Sequence, residues 1–323
     1  MSRSNMVALL CTALIFSTAV SAFGGAKLLV VSQDESILQV FDPDSGKLLG
    51  GIRTGRGPHE VIATPDGHYA FVGDFESVDN TVTKIDLHEY ERVQTIKLDP
   101  FYGPNDLAIT KDGKRLFVTA EKTRTIIEIN PVTGELVMNY NTLALMTHKL
   151  VLSPDEEFIY ATNNAAANLS VIDLVRGEHE RYIKCGKGAE ALDITPDGKF
   201  IWVANRIAQS ISILDVTERK QIETLPCPGY PMRLRFTPDG KRALVTMGTR
   251  GVLAVIDVAS REEVGAVETG ELPLGLAIRP DGKRAFVSNA KDNTVSVIDL
   301  DALKVVLVLK TAKAPDGLAY VAK

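Results

Sequence analysis

The chain has 323 residues, of which 45% are hydrophobic and 24% are charged, and its formal net charge is -5. This composition is that of a globular protein, and no basic run is present that would neutralise phosphates, so a nucleic-acid partner is not expected. The length allows two domains or one large β-domain, and the motifs must decide between them.

The first 22 residues differ from the rest of the chain. A single cation, Arg3, precedes an apolar run from Met6 to Val20, and Val20-Ser21-Ala22 supplies the small residues of a cleavage site. This pattern predicts a signal peptide over residues 1–22, too short for a comfortable membrane span; the alternative is an uncleaved anchor. Residues 23–323 are then expected to be exported, to a periplasm or out of the cell, with no further membrane span.

A turn phrase recurs along the chain and defines a repeat. It reads Thr-Pro-Asp-Gly or a close variant, in which proline fixes φ and glycine accepts a positive φ. Its aspartates are spaced by 46, 43, 42, 42 and 42 residues. They are Asp66, Asp112, Asp155, Asp197, Asp239 and Asp281. The third copy has Glu156 in place of glycine, so a different turn is expected there.

Each repeat contains four short apolar runs separated by turn signals, which is typical of a β-propeller blade. Six repeats are complete, and a seventh begins at Pro315 with one strand before the chain ends. Its three missing strands are predicted near the N-terminus, from Lys27, Ile37 and Lys47. We therefore predict an all-β, seven-bladed β-propeller with four antiparallel strands per blade. The C-terminal strand joins the N-terminal strands in one blade, and residues 23–323 form a single domain, expected to be a monomer.

Three blades share a longer phrase that resembles a known family. It is "FVSNAKDNTVSVID" (Phe286–Asp299), "WVANRIAQSISILD" (Trp202–Asp215) and "YATNNAAANLSVID" (Tyr160–Asp173). These segments resemble the YVTN family of seven-bladed propellers, and the resemblance covers essentially the whole chain after residue 22. It implies the propeller fold but leaves function open, because that family includes surface proteins, periplasmic binding proteins and partners of quinoproteins.

Several recurrent residues are expected to serve the scaffold. An asparagine that ends the second strand suits the turn, because its side chain bonds nearby backbone. These asparagines are Asn163, Asn205 and Asn289. Cys185 and Cys227 occupy equivalent places in the outer strands of neighbouring blades, too far apart for a disulfide, so free thiols are predicted.

The loops of a propeller lie on two opposite faces of the disc. The turn phrases share one face. The loops between second and third strands share the other with the crossings between blades, and we call this the crossing face. Three of its loops, all in the first three blades, are longer than their equivalents: "GDFESVDNT", "LDPFYGPND" and "YNTLALMTHK". Loops on a rigid scaffold commonly carry function, although drift in surface loops would also explain the lengths.

The residue seven before each turn aspartate opens the innermost strand, where the central channel meets the crossing face. We call these seven positions the inner ring. They are His59, Asn105, His148, Glu190, Met232, Leu274 and, by alignment, Asp316. The residues that follow add further charge in four blades: Glu60, Asp106, Lys149 and Arg233. Converging polar groups predict a ligand pocket; the alternative is a polar channel mouth filled with water.

Two of the five histidines of the chain fall on the inner ring. Imidazole and carboxylate groups that converge can hold a divalent metal ion, so His59, His148 and Glu190 are the candidate ligands. The segment "GPHEV" at His59 is also similar to the channel mouth of streptogramin-lyase-type propellers, which are metal-dependent. Glu60 stands where that pattern has glycine, which puts the activity in doubt.

Three functions remain open. The first is an exported, non-catalytic module that binds an unknown small ligand or protein partner at the channel mouth. The second is a metal-dependent lyase or hydrolase that uses the same residues, with the metal as a Lewis acid. The third is a docking partner of a periplasmic redox system, a quinoprotein or a cytochrome. The sequence contains no nucleophile elbow, no phosphate-binding glycine loop and no haem-attachment motif.

Overall fold

The computed structural model describes residues 25–76 and 80–322, so the predicted signal peptide lies outside the described residues. Within these ranges the chain forms 28 β-strands and one 3-10 helix, Glu121–Thr123. The strands form seven sheets of four strands each. The predicted seven-bladed propeller is therefore confirmed. No helix in the described ranges is long and apolar enough to cross a membrane.

The strands are numbered in chain order, and the blades are numbered from the first complete one. The N-terminal strands are β1 (Lys27–Ser32), β2 (Ile37–Phe41) and β3 (Leu48–Arg53). Blade 1 has β4 (Pro58–Ala63), β5 (Tyr69–Asp74), β6 (Thr81–Asp86) and β7 (Glu91–Lys97). Blade 2 has β8 (Pro104–Ile109), β9 (Leu116–Ala120), β10 (Thr125–Ile129) and β11 (Leu136–Asn141). Blade 3 has β12 (Thr147–Leu152), β13 (Phe158–Asn163), β14 (Asn168–Asp173) and β15 (Glu178–Lys184).

The remaining strands follow the same order. Blade 4 has β16 (Ala189–Ile194), β17 (Phe200–Asn205), β18 (Ser210–Asp215) and β19 (Lys220–Pro226). Blade 5 has β20 (Pro231–Phe236), β21 (Arg242–Met247), β22 (Val252–Asp257) and β23 (Glu263–Glu268). Blade 6 has β24 (Pro273–Ile278), β25 (Arg284–Asn289), β26 (Thr294–Asp299) and β27 (Lys304–Lys310). Blade 7 combines β28 (Pro315–Val321) with β1, β2 and β3.

Ring closure depends on pairing between the two ends of the chain. Strand β28 pairs antiparallel with β1, with Leu318 opposite Val30 and Tyr320 opposite Leu28. This pairing gives the innermost strand of blade 7 its only neighbour within the sheet. The predicted closure by the C-terminal strand is confirmed.

The core lies between blades rather than within one. The second and third strands are buried along almost their whole length, whereas the outer strands bury little. Neighbouring sheets pack on both faces, so the middle strands need apolar residues on both sides. Trp202 of blade 4 is 1% exposed, and its ring packs edge-on against Phe236 of blade 5 with ring centroids 5.4 Å apart.

The innermost strands share a bulge that positions the channel residues. Each pairs with its second strand in one register at its first residue and in a shifted register beyond it; in blade 1 the shift falls between Pro58 and Glu60. A bulge bends the strand and re-aims its side chains. As a result, two successive side chains reach the channel region: His59 and Glu60 in blade 1, and His148 and Lys149 in blade 3.

Hydroxyl groups on the second strands hold these bulges and tie neighbouring blades together. Thr119 Oγ1 accepts the N–H of Asp106 in its own blade at 2.9 Å and donates to the carbonyl of His148 in the next blade at 2.9 Å. Thr246 donates to the carbonyl of Leu274 at 3.0 Å, and Ser288 donates to that of Asp316 at 2.7 Å. The inner ring is therefore fixed by backbone contacts as well as by side chains.

The turn at Asp155 lacks glycine but keeps the form of the other turns. The prediction that the turn at Asp155 must change without glycine is wrong. Glu156 adopts a φ of 60°, as the glycines of the other turns do, and its N–H donates to Ser153 O at 2.9 Å. A carboxylate oxygen of Glu156 also accepts the N–H of Lys111 at 2.7 Å, which compensates part of the cost of the left-handed backbone.

The predicted free thiols are confirmed, and the asparagines do serve the scaffold, although through side-chain partners rather than the expected nearby backbone groups. In blades 3, 4 and 6 the asparagine that ends the second strand donates from Nδ2 to side-chain oxygens five and seven residues later. Cys185 and Cys227 are buried and free, and burial raises the pKa of each thiol to about 12.

Blade 1 has Asp74 where these blades have asparagine. Its Oδ2 accepts hydrogen bonds from Thr81 and Thr83, both at 2.8 Å, whereas Oδ1 has no hydrogen bond within the protein. The residue is fully buried, and burial raises the pKa of its carboxyl to about 6. The folded state therefore binds a proton that the unfolded chain releases near pH 4, and this group lowers stability as pH rises from about 4 to about 6.

We expect Asp74→Asn to stabilise the protein at pH 7 by roughly 1–3 kcal/mol, since asparagine removes the buried carboxylate and can donate to both threonines. The gain should shrink as pH falls from about 6 to about 4. Asn205→Asp in blade 4 is the matched control. It should lower the free energy of unfolding, and this loss should grow as pH rises from about 4 to about 6. Denaturant unfolding between pH 4 and pH 8 measures both. A gain that is independent of pH would contradict this explanation.

Candidate ligand site at the mouth of the central channel

Glu60 lies at the centre of the charged groups in the channel. Lys149 of blade 3 donates from Nζ to Glu60 Oε1 at 2.6 Å, and Arg233 of blade 5 contacts the same oxygen. Glu60 belongs to blade 1, so its contacts with blades 3 and 5 span the channel. Burial acts to raise the pKa of the Glu60 carboxyl, but Arg233 and Lys149 outweigh it and hold that pKa well below its usual value.

Arg233 connects this carboxylate to the closing blade. Its Nη2 lies 3.6 Å from Asp316 Oδ1. Burial acts to lower the pKa of Arg233, but Glu60 and Asp316 raise it above its ordinary value, so the guanidinium stays charged. The strands approach closely here: a Cβ on Gly317 would lie 2.6 Å from the carbonyl oxygen of His59. Glycine is therefore required at this position of blade 7.

His148 forms a second centre, between blades 2 and 4. Its Nδ1 lies 2.7 Å from Glu121 Oε2, and its Nε2 lies 3.4 Å from Glu190 Oε1. An ionised Glu121 can only accept, so the proton is on Nδ1. Burial acts to lower the pKa of His148, but Glu121 and Glu190 outweigh it and raise that pKa. The same contact, together with Arg206, lowers the pKa of Glu190 to about 2, against the effect of burial.

Asn105 links the two centres. Its Oδ1 accepts from Lys149 at 2.9 Å, and its Nδ2 donates to Glu121 Oε2 at 3.0 Å. Asp106, the next residue, accepts the N–H of Leu150 at 2.9 Å and supports the innermost strand of blade 3. Most of the buried polar groups of the inner ring thus have partners inside the protein, as buried polar groups require.

His59 is the most accessible polar member of the ring, with 20% of its side chain exposed. Its Nδ1 lies 3.1 Å from Asp316 Oδ2, yet the geometry is not that of a hydrogen bond. Its ring meets Phe75 at 5.6 Å and His148 at 6.0 Å between centroids. His148 Nε2 and Arg206 Nε are likewise buried without hydrogen-bond geometry, although they lie 3.4 and 3.2 Å from the two oxygens of Glu190. The rings of His59 and His148 are thus neighbours at the mouth, and Arg206 contacts the same carboxylate as His148.

A second ring, which the sequence analysis missed, surrounds the first. It consists of the residue that directly follows each second strand, and we call it the loop ring. Its members are Gln33, Phe75, Glu121, Asn164, Arg206, Gly248 and Ala290. Gln33 donates to Asp316 at 2.7 Å, and Asn164 donates to Glu190 at 2.5 Å. The sequence alone could have revealed the loop ring. Its residues are polar or aromatic in the blades whose inner-ring residue is polar, and they are small in the blades that have Met232 and Leu274.

The space beside the charged centre is small. The cavity lined by Glu60, Asp106, Lys149 and Arg233 has a volume of about 10 Å³. Such a volume holds at most one water molecule. This level therefore has no room for a larger ligand, and the accessible polar groups, His59 among them, are at the mouth.

A metal ion has one candidate position among the described residues. Ligand atoms of His59, Glu60 and Asp316 lie within 4.8 Å of one another. This group shares only His59 with the predicted set of His59, His148 and Glu190, whose ligand atoms do not all lie within that distance of one another. Lys149 and Arg233 stand beside Glu60, and a divalent cation there would meet two buried positive charges.

Comparisons with known proteins agree on the fold. The family model described as a YNCE-like beta-propeller matches residues 147–280, which span blades 3 to 5 and the start of blade 6. This match, together with the structural neighbours, confirms the resemblance to YVTN-type propellers. No curated protein matches the chain.

Many solved structures are similar in shape, at low sequence identity. A Bacteroides fragilis protein provisionally assigned as a 6-phosphogluconolactonase is 18% identical, with a TM-score of 0.78 over 93% of this chain and 99% of its own. Hydrazine synthase of Kuenenia stuttgartiensis is 18% identical, with a TM-score of 0.72 over 83% and 96%. The dihydro-heme d1 dehydrogenase NirN, solved with DHE, is 17% identical, with a TM-score of 0.69 over 91% and 74%. At these identities the likeness shows the fold alone.

We expect the pKa of His148 to lie above 6.5, because two carboxylates outweigh its burial. Glu190→Gln should lower that pKa, whereas Glu76→Gln, at an exposed loop position, should leave it unchanged. Folding stability contributed by this charge is present below pH 6.5 and is lost as pH rises through the raised pKa. An NMR titration of the histidine ring protons measures it, and a value below 6.5 in the parent would show that desolvation prevails.

Proposed function

We propose that this protein is an exported, non-catalytic binding module whose ligand site is the mouth of the central channel on the crossing face. One observation carries the proposal. Buried nitrogen atoms of His59, His148 and Arg206 at the mouth lie 3.1 to 3.4 Å from carboxylate oxygens but lack hydrogen-bond geometry. Buried polar atoms are nearly always satisfied in folded proteins, so such a group favours a bound water or ligand at this place.

The chemistry of these atoms favours a ligand rich in oxygen acceptors. Arg206 Nε can only donate, and the raised pKa of His148 favours a second N–H. The carboxylates below them already have partners: Lys149 and Arg233 for Glu60, and Gln33 for Asp316. A carboxylate or polyhydroxyl ligand would supply acceptors without breaking these pairs.

A metal-dependent lyase or hydrolase is the second candidate, and the cluster of His59, Glu60 and Asp316 favours it. A metal there would act as a Lewis acid. Its binding would have to overcome repulsion from Lys149 and Arg233, which is why we rank it second. Docking to a redox protein is the third candidate. Two of the structural neighbours are named as a synthase of hydrazine and a heme d1 dehydrogenase, and they support it through the fold alone.

We expect the exported protein to begin near Phe23, since cleavage after Ala22 removes the apolar run. N-terminal sequencing and intact mass of the protein from the non-cytoplasmic fractions of its own cells measure this. Replacing Leu9 and Leu10 by arginine should retain the precursor in the cytoplasm. A parent protein that keeps Met1 and stays in the cytoplasm would overturn the export part of the proposal.

We expect citrate, used as an oxygen-rich probe, to bind the parent in calorimetry and to lose at least about tenfold in affinity in His59→Gln/Arg206→Gln. His68→Gln, on the opposite face, should bind as the parent does. Zinc and manganese ions, followed by elemental analysis after dialysis, test the rival. Stoichiometric metal in the parent that is absent from folded His59→Gln would favour the metal-dependent enzyme. Neither probe binding would leave the docking candidate.

A further inference from the structure

The exposed apolar side chains of the crossing face are confined to one half of it. Among the described residues of the crossing-face loops, large exposed apolar side chains occur only in blades 2 to 4 and in the crossings that flank these blades. They are Tyr102, Leu143, Leu145, Met146, Ile207 and Tyr230, and they are 41% to 68% exposed. We call this set the apolar arc. The described crossing-face loops of blades 6, 7 and 1 expose no large apolar side chain.

Three members of the arc stand on strained backbone. Leu143, Met146 and Tyr230 have φ values of 55°, 59° and 59°. At the positions equivalent to Met146 and Tyr230, Gly57, Gly103 and Gly188 take this conformation without cost, whereas Leu272 and Ala314 adopt it outside the arc. A left-handed conformation costs an ordinary residue roughly 1–2 kcal/mol. These exposed side chains therefore cost stability that glycine at the same positions would not.

Positive charge accompanies the arc. Lys122, Arg124 and Lys187 are exposed in the same loops, and no carboxylate among the described residues pairs with them. Arg206 is partly exposed beside the mouth. The exposed acid in these loops is Asp99, whereas Glu121 is buried against His148. The other half of the face carries both signs, with Asp34, Glu35, Glu76, Glu271 and Asp292 among its exposed acids.

We propose that the apolar arc docks a partner protein through a segment in which carboxylates flank apolar side chains. This rests on the proposed function and names the partner for the same face. Charge complementarity selects acidic segments, and apolar anchors in the arc supply the affinity. A flat anionic membrane would also meet the acidic half of the face, which would be repelled. A protein segment, in contrast, can cover the arc without contacting the acidic half.

A photo-crosslinking amino acid at Leu145 of the full-length protein, in the cells that make it, tests this. We expect one crosslinked protein, joined through a peptide with an excess of Asp and Glu around apolar residues. Arg124→Glu/Lys187→Glu should lower the crosslinked yield at least about tenfold, and so should Met146→Gly/Tyr230→Gly. The glycine variant should keep or raise the melting temperature, which shows that the loss is not unfolding.

The same crosslinker at Val175, which is 75% exposed on the opposite face, is the matched control. The proposal is overturned by crosslinks to lipid, to a second copy of this chain or to a segment without acidic excess. It is also overturned by equal yields from Val175, by yields that the charge reversals leave unchanged, or by no crosslink at all. Citrate binding by Arg124→Glu/Lys187→Glu separates the two ideas, because the mouth site should survive these changes.

Discussion

The carboxylate of Glu60 is the group on which the centre of this propeller depends. A buried carboxylate is costly unless cations and hydrogen bonds compensate it, and here Lys149 and Arg233 approach it from two other blades. Arg233 also lies near Asp316 of the blade that joins the two ends of the chain. One charged centre therefore ties blades 1, 3, 5 and 7 across the channel, and it leaves space for no more than a water molecule beside it.

This arrangement is the reason why the proposed ligand site is placed at the mouth. Groups deep in the channel satisfy one another, whereas His59, His148 and Arg206 keep nitrogen atoms without hydrogen bonds above them. Around that mouth, the apolar arc and its cations occupy one half of the crossing face. In the proposed function, a small polar ligand and a protein partner would use adjacent parts of one surface. The carboxylates below them, paired with Lys149 and Arg233, would support this surface.

The fold was predictable because the same four-strand pattern repeats along the sequence. Turn aspartates recur in six repeats at spacings of 42 to 46 residues, and each repeat has four short apolar runs, so the blade count and the closing strand followed from spacing. Glu156 shows the limit of this reasoning: its turn survives without glycine, because one residue can adopt a left-handed backbone when its side chain finds a partner.

The site was only partly predictable. Alignment placed the inner ring, because a bulge repeats at the same position of each innermost strand. It could not say which charges pair, since Lys149 and Glu60 are 89 residues apart and meet only when the ring closes. Glu121 and Arg206 were missed because they belong to loops, although their position directly after the second strand is as regular as that of the inner ring.

A double-mutant cycle on Glu60 and Arg233 tests the central claim most directly. Unfolding in denaturant, followed by the fluorescence of the single tryptophan, Trp202, gives the free energies. Each single change, Glu60→Gln or Arg233→Met, should cost up to about 3–5 kcal/mol, because it removes one partner of a buried charge that Lys149 or Asp316 then compensates only in part. The double variant should cost clearly less than the sum of the two. Additive losses would contradict the account, since they would mean that the two groups do not compensate each other across the channel.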